Sequence, residues 1–482
     1  MSKIIRNTSI YTIGQIMPQA ITFLMLPIYS RYMTPHDYGV LASMQLLQTI
    51  ICVFFTLAID RAIFRLYYDY DGEQKKQFLG TIFIAIVGIS SGCCLMLFLF
   101  RDAISLVFKS IPFYPYYTYM IIAGYFSIFS YLPLYVLMVQ EKALKYVRLT
   151  ASKFLLDTAL QIYFVVVLKN GAEGQLLAGV ISGFIYLPIY LLISNQLISY
   201  RFCWPILKNT LIFSLPMLPN LVLAWVLNLT DRIFIEHYFT LDDVGIYSFG
   251  YKLASVILII SGSFFSAYSP VFFKTANNQI IEVAKANLQR YNTVYIMVII
   301  LLTCPVVLFA REIVMFVGNE NYLRAYKVIP LFAIAHMVSQ ISGVFNLSIY
   351  QSKKSNFVMY TIFASAVCSV GANYLLVPHY GIYGAVVSAI LSSVLLWFLG
   401  YYYAKKCYFI EILWNQVVPG IVMVATFYLV SIFINTGYVL SDIVIKMLMI
   451  MLFYFYVIKN NSTILNLVLK YLPRSYNERN IL

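Results

Sequence analysis

Residues 78–100 read FLGTIFIAIVGISSGCCLMLFLF, without one charged side chain. A helix rises about 1.5 Å per residue, and about 20 apolar residues cross the roughly 30 Å of hydrocarbon in a bilayer. The run is long enough to cross. A strand of a membrane barrel alternates apolar and polar residues at period two. Residues 78–100 and 296–309 are instead continuously apolar. Hydrocarbon offers no hydrogen bonds, so each segment must satisfy its own backbone groups, and the run reads as a transmembrane helix.

The rest of the chain has the same character. Of 482 residues, 61% are hydrophobic and 11% are charged. A soluble globular chain carries about 25% charged residues, so lipid is the solvent here. Breaking the sequence at its polar, Pro- and Gly-bearing connectors predicts an all-α integral membrane protein of about fourteen helices. They lie near 10–30, 39–60, 78–100, 116–140, 149–168, 175–194, 209–231, 244–269, 290–310, 325–349, 357–377, 383–403, 416–434 and 442–458. The longest interior connectors, 61–77 and 270–289, leave no room for a soluble domain. Helices with prolines such as Pro18, Pro133, Pro216 and Pro305 are expected to bend.

The net charge of +14 sits mostly in the connectors. Lys and Arg in alternate connectors divide 23 to 9, with Lys252 left inside a helix. The positive-inside rule then predicts that both termini are cytoplasmic, in an even-numbered bundle. The same bias explains the charge without nucleic acid, and it favours contact with anionic membrane lipids. The start, residues 1–9, is short and basic and leads into membrane segments, which argues against a cleaved secretory signal. The seven cysteines lack C-x-x-C spacing and read as buried packing residues, with no metal or disulfide role.

Three motifs recur in order at nearly one offset. Thr34-x-x-Asp37-Tyr38-Gly39-Val40 returns as Thr240-x-x-Asp243-Val244-Gly245-Ile246. Gln140-x-Lys142 returns as Gln351-x-Lys353, and Gly171-x-x-Gly174 as Gly381-x-x-Gly384. Each pair falls six predicted helices apart. An even unit returns the chain to the same side, so the halves, 1–208 and 209–403, are predicted to be parallel six-helix bundles, with 404–482 as two extra helices and a tail. Transporters rock such halves around a central site.

Catalytic signatures are missing. The sequence contains no G-x-x-x-x-G-K-[ST], H-E-x-x-H or G-x-S-x-G, and its four histidines are scattered. A membrane glycosyltransferase or polymerase, the rival of another class, would need sizeable outward loops. No cofactor or metal is expected, and transport is the reading over catalysis.

Ionisable groups inside the membrane are costly and face bundle interiors or wet cavities. Arg61, Arg65, Lys252, Arg232 and Arg31 are the candidate cations of a transport lumen, and Asp60, Asp157 and Asp231 the candidate coupling groups or charge partners. Competing readings are plain for several: Arg61 and Arg65 at an interface would snorkel, and Asp231 and Arg232 would cap a helix. Lys446 is expected to pair with Asp442 one turn before it. The tyrosines at 114–119 and 401–403 read as interfacial belts.

The stretches from Asn7 to Gly14, Leu26 to Arg31, Thr34-x-x-Asp37-Tyr38-Gly39, Leu215-Pro216 with Asp231-Arg232, Val244-Gly245-Ile246-Tyr247, and Val377-Pro378-x-Tyr380-Gly381-Ile382-x-Gly384-Ala385 resemble the polysaccharide (O-antigen and capsule) flippases, and the resemblance runs along essentially the whole chain. It implies the multidrug, oligosaccharidyl-lipid and polysaccharide exporter fold, with two six-helix bundles in a V. It implies flipping of an undecaprenyl-pyrophosphate-linked oligosaccharide from the cytoplasmic to the periplasmic leaflet of the inner membrane, through a cationic lumen. It also implies work beside a glycan polymerase and a chain-length regulator, and leaves H+ or Na+ coupling open. A cation-coupled multidrug exporter of the same fold is the nearest alternative.

Overall fold

The computed structural model describes residue 14, residues 17–433 and residues 439–460. Helix is the only regular secondary structure among the described residues. Among the described residues, twelve helices are long and apolar enough to cross a membrane. They are α1 Pro35–Thr56, α2 Gly72–Leu99, α3 Phe113–Val139, α4 Ala143–Val167, α5 Gly171–Leu197, α6 Trp204–Leu227, α7 Leu241–Asn278, α8 Ile281–Leu308, α9 Ile329–Gln351, α10 Ser355–Lys405, α11 Trp414–Ser431 and α12 Leu440–Val457.

These twelve carry thirteen of the predicted helices, because α10 spans 51 residues and holds two. Its break is at Gly381, where φ 57° and ψ −134° leave helical geometry. The first predicted helix, near 10–30, lies partly outside the described residues. The predicted long connectors are corrected. Residues 61–77 are largely helical, in Ile59–Leu66 and the start of α2, and only Gln279 and Ile280 separate α7 from α8. The reason is physical. Apolar character stops at the edge of the hydrocarbon, but helical hydrogen bonding continues through Lys-, Gln- and Asn-bearing turns that are good or tolerable helix formers.

The chain forms two compact units. The first contains Met1–Phe249, as far as it is described, with Met315–Ala325 and Ala366–Ser388. Its core is an apolar cluster that includes Phe55, Phe78, Tyr117, Met120 and Val136. The second contains Gly250–Val314, Tyr326–Ser365 and the chain from Ala389. There α8 packs against α9 and α11, and Tyr268, Phe272, Leu288, Leu347 and Ile410 form a smaller cluster. All seven cysteines are free thiols. The expectation that all are buried is corrected: Cys304 is buried and the other six are half-buried, with Cys93, Cys94 and Cys203 packed at the margin of the first unit's core.

Candidate functional site

The repeated motifs take the same local structure in both halves. Thr34 is the N-cap of α1: its Oγ1 accepts from the Asp37 N–H at 3.2 Å, and the Asp37 carboxylate accepts from the Thr34 N–H at 3.1 Å. Thr240 precedes α7 in the same way, with Oγ1 accepting from the Asp243 N–H at 3.3 Å and donating to the Asp243 carboxylate at 2.9 Å. Gly171 and Gly381 both adopt positive φ, 50° and 57°, a backbone that suits residues without a Cβ. The Gln140 amide donates to the Tyr67 hydroxyl at 2.9 Å, and the Gln351 amide donates to Asn277 Oδ1 at 2.7 Å.

Inside the first unit the two capped helix starts meet. A Cβ added to Gly39 would lie 2.0 Å from the Leu241 carbonyl oxygen, and one added to Gly245 would lie 1.9 Å from the Pro35 carbonyl oxygen. The 206-residue offset maps Gly39 onto Gly245 and Pro35 onto Leu241, so the contact is reciprocal. Only glycine allows backbones this close. Two helix N-termini carry like partial charges, and the capping carboxylates Asp37 and Asp243 offset them. Asp37 also accepts from the Ala172 N–H at 3.2 Å, where Gly171 leaves room for the carboxylate.

The turn at 315–325 closes over this crossing. The Tyr322 hydroxyl donates to the carbonyls of Met33 and Thr34, at 3.1 and 2.9 Å. Burial, then Tyr38, Asp37 and Asp242, push this phenol well above its usual range, so it stays a protonated donor. Arg324 pairs with Asp243 at 3.3 Å. Tyr38, Phe249 and Tyr322 form an aromatic trio with centroid distances of 4.5 to 6.1 Å. Asn319 donates to the Ser30 carbonyl at 2.7 Å, and the Ser30 hydroxyl donates to the Val317 carbonyl at 2.6 Å. These contacts tie the 315–325 turn to both helix starts. Sequence reading found the two capped motifs but missed Tyr322 and Arg324, which sit in an ordinary-looking connector.

The charged candidates fall into separate groups. Asp60, Arg61 and Arg65 lie on Ile59–Leu66, which follows a left-handed break at Leu57 and Ala58. Asp60 is buried, with Arg61 Nε 3.6 Å away, while Arg65 pairs with Asp69 at 2.8 Å on an exposed surface. Asp157 is held by Lys153 at 2.7 Å and by the Ser182 hydroxyl, which donates to it. On the same helix, Gln161 accepts from the Tyr29 hydroxyl at 2.6 Å. Arg31 is exposed in the last turn of Leu26–Tyr32.

Asp231 and Arg232, both buried, open the short helix Asp231–Tyr238. Tyr247 donates to Asp231, Arg232 Nε donates to the Ser248 hydroxyl at 3.2 Å, and the guanidinium lies 5.4 Å from the centre of the Tyr247 ring. Lys252 differs from all of these. It is half-buried in the last turn before α7 is interrupted at Ser255, and its ammonium has no hydrogen-bond or ion-pair partner among the described residues. Lys446 also reaches out of its own helix, and its ammonium pairs with Glu312 at 2.5 Å. The described residues contain no cluster of His, Cys, Asp and Glu that would hold a metal.

The described residues thus form a bundle of membrane-length helices in which two repeated, capped helix starts cross at paired glycines. The fold is that of the multidrug, oligosaccharidyl-lipid and polysaccharide exporters. A solved structure described as "Lipid II flippase MurJ, inward closed conformation" is similar with a TM-score of 0.74 at 12% identity, covering 93% of this chain and 99% of that one. An inward-facing multidrug resistance MATE family transporter is similar at 0.66 and 13%, covering 80% and 94%. Residues 4–276, more than half of the chain, match the family described as "Polysaccharide biosynthesis protein", and the chain belongs to that family. Two proteins of Haemophilus influenzae (strain ATCC 51907 / DSM 11121 / KW20 / Rd) are similar along most of their length. "Lsg locus putative protein 1" is 23% identical over 412 residues, 80% of this chain and 96% of that protein. An "Uncharacterized membrane protein" is 20% identical over 337 residues, 69% and 80%. Family and fold are those of flippases and transporters rather than of catalytic enzymes, and the chain is a multi-pass membrane protein.

Proposed function

We propose that this protein flips an undecaprenyl-pyrophosphate-linked oligosaccharide from the cytoplasmic to the periplasmic leaflet of a bacterial inner membrane, for O-antigen or capsule assembly. The match to the polysaccharide biosynthesis family over residues 4–276 carries this reading. Both termini face the cytoplasm, fourteen helices cross, and residues 1–208 and 209–403 are the rocking halves. The Gly39–Gly245 crossing is then the periplasmic gate, shut while cargo loads from the cytoplasm. An H+ or Na+ gradient is the candidate drive for the cycle, with Asp60, Asp157 and Asp231 as the carboxylates that would couple it. A glycan polymerase and a chain-length regulator take the product onward.

A pyrophosphate leaving bulk water needs compensating positive charge. Lys252 supplies it, because its charge is not already taken by a carboxylate among the described residues, and Arg61 offers a second cation that is half exposed. Complementation of a flippase-null strain, read on a glycan gel at equal protein abundance, tests this. Lys252→Ala and Arg61→Ala should each remove most surface glycan, and Lys252→Arg should keep part of it. Normal glycan from both alanine variants would remove these two residues from the transport path.

A further inference from the structure

The start of α4 and the connector before it carry Lys142, Lys145 and Arg148. Lys145, Arg148, Ser152 and Leu155 follow one another at spacings of three, four and three, so they share one face of the helix. That face lines a groove of about 730 Å³, walled by Leu137 of α3 and Leu197 of α5. The volume is in the range of small-ligand pockets, about 300–1,000 Å³. Its lining is graded along α4, from three cations through a serine to leucine.

The cations are available. Lys142 is steadied by the Gln140 side chain at 2.6 Å, and no acidic side chain lines the groove. Lys145 and Arg148 have no ion-pair partner among the described residues. One turn further on, Lys153 is in contrast neutralised by Asp157. Connectors rich in Lys and Arg are ordinary on the cytoplasmic side of a membrane protein. Three unpaired cations at the head of a lined groove with an apolar far end are a more specific arrangement. It has the polarity of a lipid whose head carries several negative charges.

We propose that this groove is a loading site for a polyprenyl pyrophosphate, with the diphosphate on Lys142, Lys145 and Arg148 and the first prenyl units against Leu149 and Leu155. The inference rests on the flippase reading above and adds where cargo first docks. Charge count commits it to the diphosphate. A bulk phospholipid head with a single phosphodiester charge needs one cation, while a diphosphate engages all three, and an arginine fork binds phosphate oxygens in pairs.

The test uses the purified full-length protein in phosphatidylethanolamine nanodiscs, with undecaprenyl pyrophosphate and phosphatidylglycerol as probes and native mass spectrometry as the readout. Wild type should prefer the pyrophosphate by tenfold or more. Lys145→Gln/Arg148→Gln should lose at least tenfold of that affinity, Lys145→Arg/Arg148→Lys should keep it, and Leu155→Trp should weaken it by filling the apolar end. Unchanged thermal unfolding of each variant shows that binding, not folding, was altered. A wild-type preference that survives in the glutamine variant overturns the groove and leaves the flippase reading standing. A wild type that takes phosphatidylglycerol equally well overturns both.

Discussion

Consider Gly39→Ala, which adds one methyl group where α1 crosses α7. That methyl would sit 2.0 Å from the Leu241 carbonyl oxygen, whereas ordinary contact begins at 3.4 Å. The obstacle is backbone, which cannot swing aside as a side chain would, so the helices must part by roughly 1.5 Å. The aromatic trio of Tyr38, Phe249 and Tyr322 and the hydrogen bonds of Tyr322 straddle the same crossing. Overpacking of this kind costs about 1–3 kcal/mol. In the proposed cycle the cost falls on the shut gate, whose contact an opened gate would lack, and it would shift the shut-to-open balance by about 5- to 150-fold. Gly245→Ala should act alike, and the two together should cost less than their sum, because one separation relieves both clashes. The assay places spin labels on cysteines at the exposed positions His36 and Asp242, in a background lacking the seven native cysteines, and measures their distance distribution. The short-distance population should shrink in each alanine variant, together with surface glycan. An unchanged distribution with full glycan would refute the gate.

Two further outcomes are expected. Alkaline phosphatase fused after Asn460 should be inactive and a fluorescent protein there bright; strong phosphatase activity would overturn the even-numbered map. Lys446→Ala should lower the unfolding temperature of the solubilised protein, because removing one partner of a buried ion pair costs about 3–5 kcal/mol and the Lys446 and Glu312 side chains are only 4% and 15% exposed. The double variant Lys446→Met/Glu312→Leu should recover most of the loss, and equal loss in single and double variants would show that the pair is not the cause.

Much of the fold was legible because lipid imposes one rule everywhere: apolar length. That rule found the helices but misplaced their ends. Nothing in hydropathy marks where helical hydrogen bonding stops, which is why residues 270–289 read as a connector while α7 continues to Asn278. The gate was half legible. Thr34 and Thr240 announce helix starts through capping residues, and the repeat pairs them, but no local signal says that the two starts touch. Tyr322 and Arg324 act through tertiary contact alone. The same holds for Lys446, whose visible neighbour in sequence was Asp442, while the carboxylate it reaches is 134 positions earlier. Lys252 was the easiest to single out, since a cation deep in an apolar helix is conspicuous in sequence and in structure.

That distant ion pair bears on how the protein is made. An unpaired ammonium on a membrane helix costs up to about 2.5–3.5 kcal/mol on insertion scales, the full cost falling at the helix centre. Glu312 precedes Lys446 by 134 positions, so its carboxylate is synthesised before α12. α12 therefore enters a membrane that already holds a counter-charge for its lysine. The pair thus ties α12 to an element made earlier, and α12 docks more firmly once the helices before it have assembled.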